Sequence, residues 1–515
     1  MEREVRVRFA PSPTGSLHIG GVRTALYNYL LAKQTGGKFI IRIEDTDQNR
    51  FVPGAEEYIF ESLAWCGITP DEGPNEGGPF APYRQSERKP MYMAFAQRLV
   101  DEGNAYYAFD TSEELDEMRE RLKMAKVVAP QYNAITRATM KNSLTLPEDE
   151  VKARLASGDP YVIRLKVPRK EEIRLHDMIR GWVMVHSSTL DDKVLMKSDG
   201  MPTYHLANVV DDHLMEISHV IRGEEWLPSA PTHVLLYRAF GWEDTMPQFA
   251  HLPLLLKPDG NGKLSKRDGD ALGFPVFPIA YTDQATGNTV SGFRESGYLP
   301  EAMVNFLAFL GWNPGTQQEI FSMDELVKAF SVERIGKSGT KFDIEKARWF
   351  NKQYLHARPD AELAGYLKAG LEEIGISIGD DAALRAMTLV KDRTTYPKDF
   401  ATEAAILFQK PDSYDEKVAN SKWTDDAVAV IGTLADALEN LPFVTAADAG
   451  HLFHETADKL QIKAGKAMQP LRLAITGKGA GPDLMTMIEI LGPKETAARI
   501  RTAIHELKGF IPVKA

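Results

Sequence analysis

The chain of 515 residues has very little cysteine and no long apolar run. Cys66 is its one cysteine, which excludes an internal disulfide and a zinc cluster built from several cysteines. The longest apolar stretches, such as residues 302–312, are shorter than the roughly 18 residues that a membrane span needs. Nothing near Met1 has the pattern of a signal peptide. The sequence therefore predicts a cytoplasmic protein with no membrane contact.

The chain also lacks an excess of positive charge. It has 61 Lys and Arg against 72 Asp and Glu, which gives a formal net charge of −11. The net charge argues against binding nucleic acid by bulk attraction alone, and an RNA partner would need local basic surfaces. The alternative is that the acidity only keeps the protein in solution. Net charge leaves both interpretations open.

The length predicts three or four domains, because it exceeds what one hydrophobic core organises. Residues 5–9 have the pattern of a strand, 17–34 that of a helix and 38–43 that of a second strand. A strand, helix and strand in this order predict a parallel sheet with a right-handed crossover. The predicted fold class is multidomain α/β, with a Rossmann-like parallel-sheet domain at its start.

Two later regions break this strand–helix rhythm. A capping-box pattern at 111–114, TSEE, and several strands indicate an α+β insertion over 84–200. From about 343 onward, Ala, Leu, Glu and Lys recur at helical spacing, which predicts an all-helical C-terminal region. The polar stretch 281–291 is predicted to be a surface loop. The strands predicted in the insertion cover 106–109, 161–167 and 182–187.

The strongest chemical signal is the turn 11–21, PSPTGSLHIGG, between the first strand and the first helix. Unpaired N–H groups and the helix dipole favour a phosphate at such a position. His18 can donate a hydrogen bond to that phosphate, while Gly20 and Gly21 leave room for an adenosine beside the backbone. The alternative is a proline-rich turn whose histidine only caps the helix.

A second signal is KLSKR at 263–267, which follows the glycine-containing loop 258–262. Lys263 and Lys266 on a mobile loop could close over phosphates and stabilise the charge that develops during nucleotidyl transfer. Alone, the segment is typical of a solvated surface turn. Together with the first signal it makes His18, Lys263 and Lys266 candidate catalytic residues.

These two motifs resemble the HIGH and KMSKS signatures of class I aminoacyl-tRNA synthetases. Gly21 stands where that signature has its second histidine, and Arg267 stands where it ends in serine. Further segments are similar to bacterial-type glutamyl-tRNA synthetases, in the glutamate and glutamine branch of the class, and the similarity extends through nearly the whole chain. These segments are 8–15 (RFAPSPTG), 42–47 (RIEDTD), 204–213 (YHLANVVDDH), 220–226 (VIRGEEW) and 342–343 (FD).

The resemblance implies a glutamate–tRNA ligase activity. ATP and L-glutamate would form glutamyl-adenylate, and the glutamyl group would pass to the 3′ end of tRNA(Glu). ATP and Mg²⁺ enter as a substrate complex, and no side-chain nucleophile is needed because positioning supplies much of the rate. The expected partners are tRNA(Glu), L-glutamate and ATP, and the chain is expected to be a monomer. Some relatives hold structural zinc through cysteines of the insertion, so a chain without them is expected to be free of zinc.

The resemblance also implies a site for each substrate. Arg8 and Arg222 hold the glutamate side chain and Glu44 holds the α-ammonium, which suits guanidinium groups for a carboxylate and an anion for an amine. The other implied glutamate-site residues are Ala10, Ser12, Tyr204 and Asn208. The implied ATP-site residues are His18, Gly20, Gly21, Glu225, Trp226 and Lys266. Taken singly, Arg8 could face water and Glu44 could belong to a surface ion pair. The acidic run 211–213 is interpreted as structural, and no metal site is predicted.

The same resemblance implies contacts with tRNA. Arg393 is expected to sense the last anticodon base, and 84–88 either contacts tRNA phosphates or is a charged helix start that faces solvent. Whether tRNA(Gln) is also charged stays open. The implied domains are a Rossmann-like catalytic domain (1–83 and 201–255), an acceptor-end-binding insertion (84–200), a stem-contact domain with the KLSKR loop (256–342) and an anticodon-binding region (343–515).

Two rival functions belong to related proteins. One is a short paralogue that attaches glutamate to a modified base of tRNA, but it lacks the helical C-terminal region predicted here. The other is a non-catalytic tRNA-binding paralogue, which would be expected to lose signature residues. Because His18, Lys263 and Lys266 are all present, the sequence favours the ligase.

Overall fold

The structure, a computed structural model, describes residues 3–266, 268–283 and 286–510. The chain divides into two compact units between Ala347 and Arg348, which we name the N-terminal unit and the C-terminal unit. Arg267 of the KLSKR motif lies outside the described residues. Among the described helices, none combines the length and the apolar character of a membrane span.

The N-terminal unit contains all of the strands in the described ranges. They are β1 (Arg6–Phe9), β2 (Lys38–Ile41), β3 (Ala105–Ala108), β4 (Val162–Leu165), β5 (Glu172–Asp177), β6 (Gly181–His186), β7 (Val194–Met196), β8 (His219–Gly223), β9 (Gln248–Leu252), β10 (Leu255–Leu256), β11 (Tyr281–Thr282), β12 (Thr289–Val290) and β13 (Thr340–Lys341). Its helices are α1 (Ile19–Thr35), α2 (Ala55–Trp65), α3 (Lys89–Asp101), α4 (Ser112–Met124), α5 (Glu148–Ser157), α6 (Tyr204–Leu214), α7 (Ala230–Ala239), α8 (Asp268–Leu272), α9 (Pro300–Phe309) and α10 (Met323–Ala329).

The C-terminal unit is helical throughout the residues described, apart from turns and connecting segments. Helix α11 (Ile344–Ala357) contains the boundary between the units. The helices that follow are α12 (Asp360–Glu373), α13 (Asp380–Val390), α14 (Asp399–Phe408), α15 (Glu416–Lys422), α16 (Asp425–Glu439), α17 (Ala446–Lys459), α18 (Gly465–Thr476), α19 (Leu484–Leu491) and α20 (Pro493–Glu506). The predicted helical C-terminal region is confirmed.

The main sheet has six strands in the order β2-β1-β8-β9-β5-β6. Every neighbouring pair is parallel except β5–β6. The chain runs from β1 to β2 on one side and returns much later to β8 on the other. Such a change of direction opens a crevice at the carboxyl ends of the two strands. The predicted α/β class with a parallel sheet is confirmed.

The range predicted as an insertion contributes to two different sheets. Strands β3, β4 and β7 form a separate antiparallel sheet. The hairpin β5–β6 instead extends the main sheet, because Asp177 at the end of β5 pairs with Phe249 of β9. The predicted domain boundaries stay a prediction.

Local sequence explains how α1 begins and ends. The Nδ1 atom of His18 accepts a hydrogen bond from the N–H of Gly20 at 3.0 Å, which satisfies one of the free donors of the first turn. Gly36 ends the helix with φ of 66°, a left-handed conformation that costs glycine little. The helix predicted between the two strands is therefore present with these caps.

The stretch 281–291 is more ordered than predicted. Strands β11 and β12 pair antiparallel, and the hydroxyls of Thr282 and Thr289 lie 2.9 Å apart across them. The Tyr281 ring packs edge-on against Tyr58, with ring centroids 5.2 Å apart. The stretch lies at the surface, since residues 286–289 are exposed, but the short hairpin was not foreseen, because strands of two residues leave no alternating pattern. Residues 284 and 285 lie outside the described ranges.

Cys66 follows α2 and is buried. Burial raises the pKa of its thiol to about 12. A buried thiol of this kind behaves as a small apolar side chain rather than as a nucleophile.

Candidate active site

A cavity of about 450 Å³ lies at the carboxyl ends of β1 and β8 in the N-terminal unit. Every site residue predicted from the sequence lines it, with the exception of Arg393. These residues are Arg8, Ala10, Ser12, His18, Gly20, Gly21, Glu44, Tyr204, Asn208, Arg222, Glu225, Trp226, Lys263 and Lys266. The structure thus brings the early turn, the lysine loop and the arginines into one cleft. Arg393 is in the C-terminal unit, where its Nε lies 3.4 Å from a Glu403 carboxylate oxygen.

His18 presents one defined hydrogen-bond donor to this cleft. Its Nδ1 atom accepts the N–H of Gly20, so in the neutral ring the proton is on Nε2. The Nε2 atom is buried and has no partner. Burial, and then the charges of Lys266 and Lys263, lower the pKa of His18 to about 4. The imidazole is therefore neutral near pH 7, with an N–H free to bind an anionic ligand.

The lysine loop reaches the turn that precedes α1. Gly15 has φ of 126°, and a Cβ atom at this position would lie 3.9 Å from the Lys266 ammonium. Burial lowers the pKa of Lys266. Lys263 Nζ lies 2.9 Å from a carboxylate oxygen of Glu225, and both side chains are about half exposed. Two ammonium groups and the His18 donor thus converge on one end of the cleft, which suits a polyphosphate.

Asp268 holds the backbone of this loop. Its carboxylate accepts hydrogen bonds from the N–H and the hydroxyl of Ser265, at 2.7 and 2.6 Å. Its other oxygen lies 2.9 Å from Lys257 Nζ. Hydrogen bonds from Ser265 and then Lys257 lower the pKa of Asp268 to about 2. This aspartate gives the loop a defined turn between Lys263 and Lys266.

Buried charges form a continuous chain along the opposite wall of the cleft. Arg8 Nε lies 3.0 Å from Asp212, and the Arg42 guanidinium bridges Asp212 at 2.7 Å and Glu44 at 2.9 Å. The amide of Asn208 donates to the same Glu44 oxygen at 3.1 Å. Burial would raise the pKa of Asp212, but the charges of Arg8 and Arg42 outweigh it and hold the pKa low. Glu44 is therefore fixed in position with one oxygen occupied and its carboxylate at the cavity wall.

Arg222 at the end of β8 has a different environment. Its Nη atoms donate to the Tyr204 hydroxyl at 2.8 Å and to the Trp226 carbonyl at 3.4 Å, and its Nε donates to His251 at 3.0 Å. None of the described carboxylates forms an ion pair with it. The cleft therefore contains a buried guanidinium whose positive charge is not neutralised by direct contact, which favours an anionic group beside it.

A side chain at Gly20 or Gly21 would crowd its neighbours in the turn, which the sequence did not reveal. A Cβ at Gly21 would lie 2.6 Å from Leu17 Cδ1, and one at Gly20 would lie 3.2 Å from His18 Nδ1. Both glycines line the cavity, so space for a ligand remains part of their role. The nearest obstacle to a side chain is nevertheless the turn itself.

Sequence reasoning missed Arg23 as a site residue, and it did not reveal that Arg42 and Asp212 hold the Glu44 and Arg8 side chains. Arg23 lines the cavity and donates to the carbonyls of Leu310 at 2.7 Å and Pro253 at 2.5 Å. These partners are more than two hundred positions away, and carbonyl groups leave no trace in a sequence. A charged residue on a buried helix face is the only signal that could have indicated Arg23.

The interpretation of 211–213 as structural agrees with the contacts. Asp211 accepts hydrogen bonds from Arg88, Gln85 and Tyr92, while the His213 ring stacks on Trp242 with centroids 3.7 Å apart. Within the described ranges, no three His, Cys, Asp or Glu side chains are grouped so as to hold a metal ion.

The two arginines of 84–88, the segment for which both a phosphate contact and a charged helix start were considered, have different surroundings, and Arg88 faces the protein interior. Its guanidinium is buried and donates to Asp211 at 2.7 Å and to the carbonyls of Phe80 and Pro82. Arg84 is partly exposed and pairs with Glu56 at 2.7 Å. The segment begins a helix, and its two arginines connect the start of α3 to Glu56 of α2 and to Asp211 of α6.

The similarity to known proteins extends over nearly the whole chain. Residues 4–349 match the family described as tRNA synthetases class I (E and Q), catalytic domain, and residues 350–504 match an anticodon binding domain. A glutamate–tRNA ligase of Cytophaga hutchinsonii is 66% identical over 98% of each chain, and one of Amoebophilus asiaticus is 61% identical over 98% of this chain and 99% of its own. A crystal structure of a glutamate tRNA ligase from Elizabethkingia meningosepticum in complex with its amino acid is 51% identical. It covers 98% of this chain and all of its own, with a TM-score of 0.94.

Proposed function

We propose that this chain is a glutamate–tRNA ligase, because it belongs to the family of class I tRNA synthetases for glutamate and glutamine. It activates L-glutamate with ATP to glutamyl-adenylate and transfers the glutamyl group to the 3′ end of tRNA(Glu). The observation that carries this proposal is the single cleft lined by His18, Lys266 and the unneutralised Arg222.

The glutamate site is formed by the arginines and by Glu44. Arg222 lines the cleft and has no partner among the described carboxylates, so it binds the side-chain carboxylate of glutamate. Arg8 adds positive charge nearby and is already paired with Asp212. Glu44 has a second oxygen for the α-ammonium. Ala10, Ser12, Tyr204 and Asn208 form the remaining wall.

The ATP site is formed by the turn, the lysine loop and the segment after β8. The neutral His18 donates its Nε2–H to a phosphate oxygen, and the adenosine lies against Gly20 and Gly21. Glu225 and Trp226 line the nucleotide end of the cleft. Mg²⁺ accompanies ATP as part of the substrate, and the protein supplies position and charge rather than a nucleophile.

The activation step displaces pyrophosphate. An oxygen of the glutamate α-carboxylate attacks the α-phosphorus of ATP. The bond between that phosphorus and the oxygen bridging to the β-phosphate breaks, and the departing pyrophosphate takes the electron pair. Lys263 and Lys266 stabilise the growing negative charge, for which Lys263 must leave Glu225. A ribose hydroxyl of the tRNA then attacks the activated carbonyl, and AMP leaves.

The tRNA partner is met by both the insertion and the C-terminal unit. The match of residues 350–504 to an anticodon binding domain supports this division, and Arg393 is the proposed contact to the last anticodon base. The proposed domains are the catalytic domain (1–83 and 201–255), the insertion (84–200), the stem-contact domain (256–342) and the anticodon-binding region (343–515). We place the enzyme in the cytoplasm as a monomer without structural zinc, which fits a chain with a single cysteine.

Aminoacylation of purified tRNA(Glu) and tRNA(Gln) with labelled L-glutamate tests the proposal. We expect an ester at the 3′ end of tRNA(Glu), and Lys266→Ala should lower kcat by about 10²–10³-fold because it removes charge stabilisation at the phosphates. Lys33→Ala is the matched control, since Lys33 lies in the last turn of α1, pairs with Asp71 and does not line the cavity. Product only on a modified tRNA base, or binding without product, would refute the ligase activity.

A further inference from the structure

The Nε atom of Arg222 is held by an acceptor that carries no charge. It donates to His251 Nε2 at 3.0 Å, and the other partners of Arg222 are a tyrosine hydroxyl and a backbone carbonyl. Arg8 in the same cleft is instead bonded to an aspartate through two nitrogens. The two arginines that face one substrate thus differ in net local charge.

His251 can accept this bond in only one ring state. Its Nε2 must keep a lone pair for Arg222, so the proton lies on Nδ1. The Nδ1–H group donates a hydrogen bond to Asp177 Oδ2, 2.6 Å from Nδ1. Burial lowers the pKa of His251, and this effect, together with the Arg222 charge, outweighs the opposing effect of Asp177. The ring is therefore neutral, in a fixed tautomer and with a fixed orientation.

Asp177 is in turn fully satisfied by groups of the protein. Its Oδ1 accepts the backbone N–H groups of Ile179 and Arg180 at 2.9 and 2.8 Å, and its Oδ2 also accepts the N–H of His251 at 3.1 Å. His251 and Asp177 are both completely buried. The carboxylate is thus one residue removed from Arg222, with the imidazole between them.

We propose that His251 and Asp177 are positioning residues that determine specificity for an acidic amino acid over its amide. They hold the Arg222 guanidinium in one orientation while leaving its positive charge for the substrate carboxylate. A carboxylate in direct contact with Arg222 would orient the group equally well but would neutralise it, and the advantage of glutamate over glutamine would fall. This inference rests on the proposed function.

Three substitutions of His251 separate orientation from charge. His251→Gln offers a neutral oxygen acceptor near the position of Nε2 and should keep the KM for glutamate within about threefold of the parent. His251→Ala removes the acceptor and should raise that KM by up to about 100-fold, because Arg222 loses its orientation. His251→Glu restores an acceptor but adds a charge, and it should lower the glutamate-to-glutamine ratio of kcat/KM by at least about tenfold.

The assay is aminoacylation of tRNA(Glu) by the full chain, with L-glutamate or L-glutamine and with ATP varied separately. His213→Gln is the matched control, since His213 is a histidine of the same unit that stacks on Trp242 outside the cleft. We expect the KM for ATP to be unchanged in all variants. Thermal unfolding of each variant identifies any general loss of structure.

Two results would overturn the inference. One is an unchanged glutamate-to-glutamine ratio in His251→Glu, and the other is an equal loss for glutamate and ATP in His251→Ala that His251→Gln does not rescue. An inactive parent chain would refute the proposed function and the inference with it. An active parent with insensitive His251 variants would refute the inference alone.

Discussion

At the scale of single residues, the cleft depends on which buried groups are already satisfied. Arg8 and Arg42 both pair with Asp212, although Arg42 Nε has no partner. His18 Nε2 lies unpartnered in a residue of the cavity wall, and Arg222 forms no ion pair with a described carboxylate. A buried polar atom without a partner costs about 1–3 kcal/mol, so a ligand that accepts a hydrogen bond from His18 Nε2 offsets that cost. The His18 Nε2–H group is therefore available to a ligand in the cleft.

The first prediction concerns the ring state of His18. Its folded pKa of about 4 lies below the ordinary 6.5, so we expect Nε2 to carry the proton and Nδ1 to remain unprotonated from pH 8 down to about 5. ¹⁵N NMR of the histidine side chains, assigned with His18→Gln, measures this. A positively charged ring at pH 6 would contradict it.

The lowered pKa of His18 also makes the free energy of unfolding depend on pH. As pH falls from 6.5 toward 4, the unfolded chain takes up a proton at His18 that the folded chain refuses, so this residue makes the folded state less stable over that range. Above pH 6.5 it contributes nothing. Comparison of urea unfolding for the parent and His18→Gln at pH 7.5 and 5 should show a smaller decline in the variant.

Residue identities were predictable where a motif carries them and not where distant groups meet. The turn and the lysine loop were found because ligand chemistry fixes both residue type and spacing. His251 and Arg23 escaped notice, because their partners are brought to them only by the fold. The burial of Arg88 could not be predicted for the same reason: Asp211, its partner, is 123 positions away.

At the scale of elements, the turn before α1 is the most constrained segment of the site. Its two glycines are enclosed by Leu17 and by the His18 ring, and the His18 side chain caps the helix that it begins. The position of the Nε2–H donor is thus set by the packing of one turn. Changes in that packing should alter both the free energy of unfolding and kcat.

The second prediction tests this packing with Gly21→Ala. The new Cβ would lie 2.6 Å from Leu17 Cδ1, so we expect a loss of about 1–3 kcal/mol in the free energy of unfolding and a reduced kcat. Leu17→Val removes the crowded Cδ atoms, and the double variant should recover part of both losses. Additive effects of the two substitutions in a double-mutant cycle would show that Leu17 is not the obstacle.

Elements as such were well predicted from hydrophobic periodicity and caps. The predicted capping box at 111–114 is present at the start of α4, with Thr111 and Glu114 each bonded to the other's backbone. The hairpin β5–β6 was assigned to the insertion, although β5 joins the main sheet. Strand pairing between distant segments is not encoded in either segment alone.

At the scale of the whole molecule, a net charge of −11 must be reconciled with a polyanionic partner. Binding can then depend only on local cations, each of which contributes to the salt dependence. Arg393 is half-exposed in the C-terminal unit and only loosely paired, with 3.4 Å to Glu403. It is therefore available to RNA.

The third prediction compares Arg393→Gln with Arg385→Gln. Both variants change net charge equally, and Arg385 is an exposed residue of α13 paired with Asp381. We expect only Arg393→Gln to raise the KM for tRNA(Glu) and to reduce the slope of log K against log salt by about 1. Equal effects of the two substitutions would exclude a specific contact at Arg393.

The buried thiol of Cys66 makes the chain a convenient starting point for site-specific labelling. With a pKa of about 12 and almost no exposed surface, it yields a negligible amount of thiolate at neutral pH and resists maleimides. A cysteine introduced at Asn261, in the exposed loop before the two lysines, would then be the one reactive position. A fluorophore there could report loop movement during turnover without removal of the native cysteine.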